Sequence, residues 1–224
     1  RGTGENSFKS LSYIPNKQVT GAVAESWSVE EDPWRIVFNL RKGVFWPAKE
    51  GVMERRELVA EDIVFNYTHM NTSPRKIPTW WDFISEWKAE DRYTAVAYLQ
   101  EWNANFGYRL LWGYFSGIAP PEVLKMNDGK GSDDWRLKTG TGPYKLIDIR
   151  PDDIQVYKRN EEYWEKETIN GVAYDLPYND GVVYHIMGDE SARIAAIRTC
   201  KVDILEAFRW QFAEQLKRSA PELI

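Results

Sequence analysis

The chain is poor in the residues that most often perform chemistry. It has one cysteine, Cys200, and two histidines, His69 and His185, in 224 residues. A single cysteine excludes an internal disulfide, which suits the cytoplasm and equally an exported bacterial protein that does without disulfides. Neither histidine lies beside a nucleophile motif, so the base-plus-orienting-acid arrangement of serine hydrolysis has no visible parts. His69 has no histidine, cysteine or carboxylate four residues on, which makes it a structural or surface side chain. His185 reads as a strand side chain. The HExxH, CxxC and calcium-loop patterns are missing, so neither a metal nor any other cofactor is expected. No run approaches 18 consecutive apolar residues, so nothing is expected to span a membrane. Basic charge is not in surplus: 29 Lys and Arg stand against 34 Asp and Glu, a net charge of -5. That balance argues against nucleic acid as a partner. The opening RGTGENSF has no charged-then-apolar leader pattern, and the chain is expected to be a mature or truncated piece of a longer protein.

What the chain has in quantity is aromatic surface. Eleven Trp and twelve Tyr contribute to an aromatic content of 14%. This exceeds what one core of this size needs, so some rings should line an interface or a ligand site. Hydrophobic residues at 43% and charged residues at 28% allow a packed core, as one large domain or two small ones.

Residues 1–20 offer few anchors, with Phe8, Leu11, Tyr13 and Ile14 holding a loop or an edge strand. From Trp34 the apolar positions alternate through Ile36, Phe38 and Leu40, a half-buried strand, with Ala22–Trp27 beside it. Residues 60–70 place Ile63, Val64, Tyr67 and Met70 on one helical face, with Glu61 and Asp62 in the first turn. Val59 stands at the cap, so a weak N-terminus is expected. Residues 71–83 form a loop punctuated by Pro74 and Pro78 that carries Trp80 and Trp81. Phe83–Ala89 and Tyr93–Leu99 read as strands, 104–116 as a helix, Pro121 as the start of a short helix, and 128–138 as a polar loop.

The stretch Thr139–Trp164 reads as a strand from Tyr144, a turn at Pro151-Asp152-Asp153, a strand from Ile154 and an aromatic segment at Tyr163-Trp164. Gly140 and Gly142 are expected to use backbone angles closed to other residues. They feed a strand rather than a helix, and no Lys-Ser or Lys-Thr follows, so they are not a phosphate loop. Residues 165–181 read as irregular and Val182–Met187 as a buried strand. Glu190–Thr199 reads as a helix, and Cys200, taken to lie inside an amphipathic helix, as a buried, inert thiol. Val202–Leu205 reads as a short strand, and the tail through Phe212, Leu216 and Leu223 as amphipathic.

GTGPYKL followed by RNEEYW resembles the signature of the family 5 extracellular solute-binding proteins, the peptide- and oligosaccharide-binding receptors of bacterial ABC importers. Ala24-Glu25-Ser26-Trp27 with Leu40-Arg41-Lys42-Gly43-Val44 is similar to an earlier block of the same family. Asp189, Arg193, Ala195-Ala196-Ile197 and Val202-Asp203-Ile204 are similar to a later one. The family's short His-Asp-Gly turn is replaced by residues 46–57, its Thr cap by Val59, and a Gly-containing turn by Cys200-Lys201.

The resemblance implies an α+β (mixed α/β) fold, a periplasmic-binding-protein-like lobe with a mixed sheet and flanking helices, its second lobe largely absent. Residues 1–205 would be the first lobe, with a β-rich subdomain within 46–138, and 206–224 the hinge and the start of the second. It further implies a periplasmic or surface-anchored monomer, not an enzyme. Such a protein captures oligopeptides in an interlobe cleft by hinge closure and delivers them to the transmembrane subunits of an ABC permease. A lone lobe would offer half a site and bind more weakly than the whole. Oligosaccharide binding is the alternative within the family. From other classes come a secreted carbohydrate-active enzyme domain, which needs two convergent carboxylates that nothing in the sequence selects, and a structural docking domain. Trp80, Trp81 and Trp210 are the expected ligand contacts: two on a loop, one where the hinge should lie.

Overall fold

The computed structural model describes residues 19–74, 76–77, 79–113, 116–206 and 208–223. The expected anchors Phe8, Leu11, Tyr13 and Ile14 lie outside them, as do Tyr114 and Phe115 of the expected 104–116 helix. The chain divides into two compact units, one of residues 1–145 and 159–180, the other of 146–158 and 181–224.

The first unit is built on a four-stranded antiparallel sheet. β1 (Ala24–Glu30) pairs with β2 (Arg35–Leu40) as expected, and the order β1-β2-β6-β5 is completed by β5 (Ile84–Asp91) and β6 (Thr94–Leu99). Alternation in β2 buries Ile36, Phe38 and Leu40 on one face. Trp34, expected to continue that row, stays exposed, because the strand begins one residue later. Between the sheet strands come the short pair β3 (Phe45–Trp46) and β4 (Arg56–Glu57), then α1 (Ala60–Thr72), which packs against β5 and β6. Beyond β6 lies α2 (Pro121–Gly129).

The start of α1 is better held than its Val59 cap suggests. The Asp62 carboxylate accepts from the Val59 N–H at 3.1 Å, while the Asp62 N–H donates to the Val59 carbonyl at 3.0 Å. The third helical residue thus supplies half of a capping box without a Ser or Thr.

β7 (Tyr144–Arg150) and β8 (Ile154–Arg159) form the expected hairpin, with Asp152 in the left-handed region at the turn. Neither Gly140 nor Gly142 has a left-handed φ, and a Cβ added at either would meet nothing within 4 Å, which corrects the expectation of glycine-only angles. The base of the hairpin is held by Asn160, only 2% exposed. Its amide donates to the Gly142 carbonyl at 2.9 Å, its N–H to the Pro143 carbonyl at 2.8 Å, and its side-chain oxygen accepts from Glu162 N–H.

Residues 165–181 are not irregular. β9 (Lys166–Ile169) and β10 (Val172–Asp175) make a two-stranded ribbon of the first unit around Asn170-Gly171, both at positive φ. This dipeptide is the strongest short hairpin signal a sequence offers, and it prevails over the chain-breaking Pro177 and Gly181 that follow it.

In the second unit β11 (Gly181–His185) joins β8 to give the order β11-β8-β7. It lies at the sheet edge and is exposed, with Val183 at 50% and Tyr184 at 57%, rather than buried. α3 (Glu190–Arg198) and α4 (Trp210–Ser219) pack through Ile194, Ile197 and Leu216, joined by Val202, Leu205, Phe208, Phe212 and Leu223. Residues 202–205 form no strand, and Ile204 is 77% exposed. Cys200 lies past the end of α3 rather than inside it, exposed and at φ 53. Its N–H donates to the Ile197 carbonyl, and that of Lys201 to Ala196, so cysteine occupies the left-handed position where glycine usually ends a helix. Of the expected helix 104–116, residues 106–112 are helical, the last part being a wide turn, Tyr108–Trp112, that stops at Gly113. The expected loop 128–138 contains two 3₁₀ turns, Gly131–Asp133 and Trp135–Leu137.

Candidate functional site

An unbroken series of aromatic rings runs through the first unit. Phe38 of β2 stacks on Trp87 of β5 at 5.9 Å between centroids, and Trp87 stacks on Tyr67 of α1 at 4.5 Å. Tyr67 meets the edge of Trp81 at 5.5 Å, Trp81 meets Trp80 at 6.2 Å, and Trp80 meets Tyr108 at 5.8 Å. Each contact is offset-stacked or edge-on, the arrangements the ring quadrupole favours. Arg109 caps the far end. Its guanidinium lies 5.1 Å from the Trp80 ring centroid, and its Nη1 donates to the Thr79 and Trp80 carbonyls at 3.1 and 2.7 Å. The loop that carries Trp80 is thereby tied to the turn at 108–112.

Beside the first three rings is a cavity of about 190 Å³. Val23, Trp27, Leu40, Ile63, Leu110 and Ile118 line it together with Phe38, Tyr67 and Trp87. Since an apolar cavity of about 150 Å³ can hold a benzene ring, this one has room for a ring-sized apolar group. Its described lining includes no carboxylate. The Tyr67 hydroxyl donates to the Leu110 carbonyl at 3.3 Å, and burial raises its pKa well above the ordinary tyrosine range.

Several charged groups of the unit are paired with one another. Arg56 of β4 gives Nη1 and Nη2 to the Asp62 carboxylate, both at 2.8 Å, and Nε and Nη2 to Glu122 at 2.6 and 2.8 Å. Asp62 is 4% exposed and also accepts from Nε1 of the fully buried Trp46 at 3.0 Å. This network ties β3, β4, α1 and α2 together. Hydrogen bonding to the two carboxylates, that of Glu122 first, raises the Arg56 pKa. The hydrogen bond from Arg56 lowers that of Glu122 below its ordinary 4.5.

A carboxylate with a folded pKa below its unfolded one adds stability that is present above the unfolded value. That stability is lost as pH falls through the folded value. Acidification below pH 4.5 is therefore expected to erode stability, and Glu122→Gln to flatten that part of the profile. Denaturant unfolding across pH 2–6, in steps of about one unit, would check it; an unchanged slope in the variant would contradict the assignment.

The three expected ligand residues are placed differently. Trp81 is 4% exposed, its ring enclosed by the core. Trp80 is half-buried at the outer part of the ring series. Trp210, in the second unit, is the first residue of α4 and 71% exposed. Its place is set by Arg209, whose N–H and guanidinium both bond the Glu190 carboxylate at the start of α3. Sequence reasoning missed Tyr67, Trp87, Tyr108 and Arg109, since helical and strand periodicity marked the first two only as core. It also missed an exposed aromatic pair on the first unit, Trp34 on Trp102 at 5.1 Å, extended by Phe106 at 5.5 Å.

The fold is that of a periplasmic solute-binding lobe. The structure aligns with a TM-score of 0.72 and 25% identity to the ABC transporter-associated periplasmic binding protein DppA from Helicobacter pylori, solved with the peptide STSA, over 89% of this chain and 40% of that one. The family described as bacterial extracellular solute-binding proteins, family 5 Middle, matches residues 18–222, and the chain belongs to it. It is 27% identical over 186 residues to the oligopeptide-binding protein AmiA of Streptococcus pneumoniae, covering 71% of this chain and 27% of the relative. It is 26% identical over 202 residues to di/tripeptide-binding protein 1 of Pseudomonas aeruginosa, covering 84% of this chain and 36% of the relative. The chain thus spans about a third of the length of these curated relatives. Among the described residues no helix is long and apolar enough to cross a membrane.

Proposed function

We propose that this chain is part of the solute-capturing component of an ABC importer. It would bind oligopeptides in a cleft between lobes and hand them to a membrane permease outside the cytoplasm. The observation that carries this reading is the family match over residues 18–222. The peptide-binding names of the relatives AmiA and di/tripeptide-binding protein 1 favour peptide as the solute. Extended peptides are held through backbone hydrogen bonds, with apolar pockets for alternate side chains, and the aromatic series with its cavity is chemically suited to such a side chain. Binding without bond cleavage agrees with the state of the carboxylates. Asp62 and Glu122 converge on Arg56 and are both hydrogen-bonded to it, and the pKa of Glu122 moves down, opposite to what a general acid requires.

Trp80 and Trp210 are the proposed contacts that face the solute, and Trp81 supports Trp80 from behind. Replacing Trp80 or Trp210 by alanine is expected to weaken peptide binding about tenfold, measured by calorimetric titration of the whole protein that carries this chain. Unchanged affinity in both variants would remove these residues from the site. Oligosaccharide is the second reading, favoured by the open faces of Trp210 and of the Trp34–Trp102 pair, since sugar C–H faces pack on flat rings. In the same titration, binding of oligosaccharides but not of peptides would select it.

A further inference from the structure

The β9–β10 ribbon has two unlike faces. Register places Ile169 opposite Val172 and Glu167 opposite Tyr174 on one side, and Thr168 opposite Ala173 and Lys166 opposite Asp175 on the other. The second side is polar and closed by a Lys166–Asp175 ion pair at 2.7 Å. The first is an apolar stripe, joined by Tyr178, whose hydroxyl donates to Glu167 at 2.8 Å. All eight strand residues are exposed, with Ile169 at 44%, Val172 at 51%, Tyr174 at 45% and Tyr178 at 53%. A two-stranded ribbon that buries nothing is marginal in water, and among the described residues each strand pairs only with the other, leaving both outer edges open.

Charge indicates what would cover it. Residues 161–180 hold Glu161, Glu162, Glu165, Glu167, Asp175 and Asp180 against one lysine, a surplus as large as the -5 of the whole chain. Glu161 and Glu162 are answered by Arg159 and Arg55, while Glu165 and Glu167 accept from the hydroxyls of Tyr163 and Tyr178. A second copy would bring the same acidic surface against itself, and like charges oppose that pairing.

We propose that the ribbon is a docking edge for a basic, extended segment of a partner protein. The segment adds as a third strand, and the side chains it turns to the face of Ile169, Val172 and Tyr174 combine apolar residues that lengthen the stripe with lysines or arginines that meet Glu167 on that same face. This is independent of solute capture.

The test titrates the protein with a heptapeptide whose odd positions, which share one face of a strand, read valine, lysine, valine, lysine with threonine between them, and with a glutamate–valine peptide in which glutamate replaces lysine; both are acetylated and amidated so that a site for free peptide ends is not engaged. Anisotropy reports binding, and amide exchange over residues 166–175 reports its place. Saturable binding that slows exchange in the ribbon is expected. Val172→Ser with Tyr174→Ser should weaken it about tenfold, and Glu165→Gln with Glu167→Gln should weaken it and flatten its salt dependence. All four residues lie at the surface of this region, so melting of the variants should match the parent and serves as the folding control. The proposal is overturned by no binding, by binding that either variant leaves unchanged, or by equal binding of the glutamate–valine peptide. It is equally overturned if the ribbon is protected without peptide, or if dimerisation is lost in the Val172→Ser, Tyr174→Ser variant, since the occupant would then be the protein itself.

Discussion

Arg56→Met is expected to destabilise the protein by about 3 kcal/mol, the lower end of the range for removing one partner of a buried ion pair. The loss arises from what is left behind. Asp62, with its side chain 5% exposed, would keep its charge with only the Trp46 indole and the Val59 N–H as donors. Glu122 is 32% exposed and can turn to water, which keeps the cost from being larger. Arg56→Lys should recover part of the loss only, because an ammonium cannot give paired hydrogen bonds to two carboxylates at once. Urea unfolding at pH 7 reads both variants. A loss below about 1 kcal/mol for Arg56→Met would mean that the network contributes no more than a surface ion pair.

Trp81→Ala should cost about 3–5 kcal/mol, the usual range for emptying a large core site. Trp81 is enclosed at 4% exposure, between the rings of Tyr67 and Trp80, both in T-shaped contact with it. Its removal would take the support from Trp80, so peptide affinity should fall together with stability. Trp81→Phe separates the two roles. Phenylalanine keeps a ring in the core, and a supporting residue should then retain most of the affinity. If Trp81→Phe lost affinity as fully as Trp80→Ala while unfolding normally, Trp81 would touch the solute itself.

The elements with the clearest periodicity were legible before any coordinates. β2 and α1 follow alternation and helical spacing because one face of each is buried and the other is wet, whereas β6 is buried on both faces over Ala95–Ala97 and the β7–β8 hairpin is marked by its turn at Pro151-Asp152-Asp153. Failures occurred where burial and propensity part company. Val182–Met187 has the composition of a core strand but lies at a sheet edge, and apolarity alone does not tell an edge from a centre. Val202–Leu205 has strand composition, yet Val202 and Leu205 pack against the Ile194, Ile197 and Leu216 cluster of α3 and α4, and residues 202–205 pair with no strand among the described residues. Cys200 was assigned to a helix because Ala195-Ala196-Ile197 continue toward it, and no residue there announces the left-handed turn that glycine would have marked.

The site was legible only in part. Adjacent tryptophans at 80 and 81 stand out, but which one is enclosed depends on Tyr67, which α1 brings against Trp81 and which Trp87 of β5 stacks upon. The ion network was invisible for the same reason: Arg56 and Glu122 are separated by 66 positions. Neither belongs to a spaced motif, and only the packing of α1 and α2 makes them neighbours.

Capture without chemistry is tested most directly by melting the whole protein that carries this chain against increasing di-, tri- and longer peptides, then recovering each peptide for mass spectrometry. Stabilisation follows ligand affinity, so at least one peptide should raise the melting temperature with concentration and return intact. Peptides and oligosaccharides that leave melting unchanged, or a peptide that returns cleaved, would contradict the account.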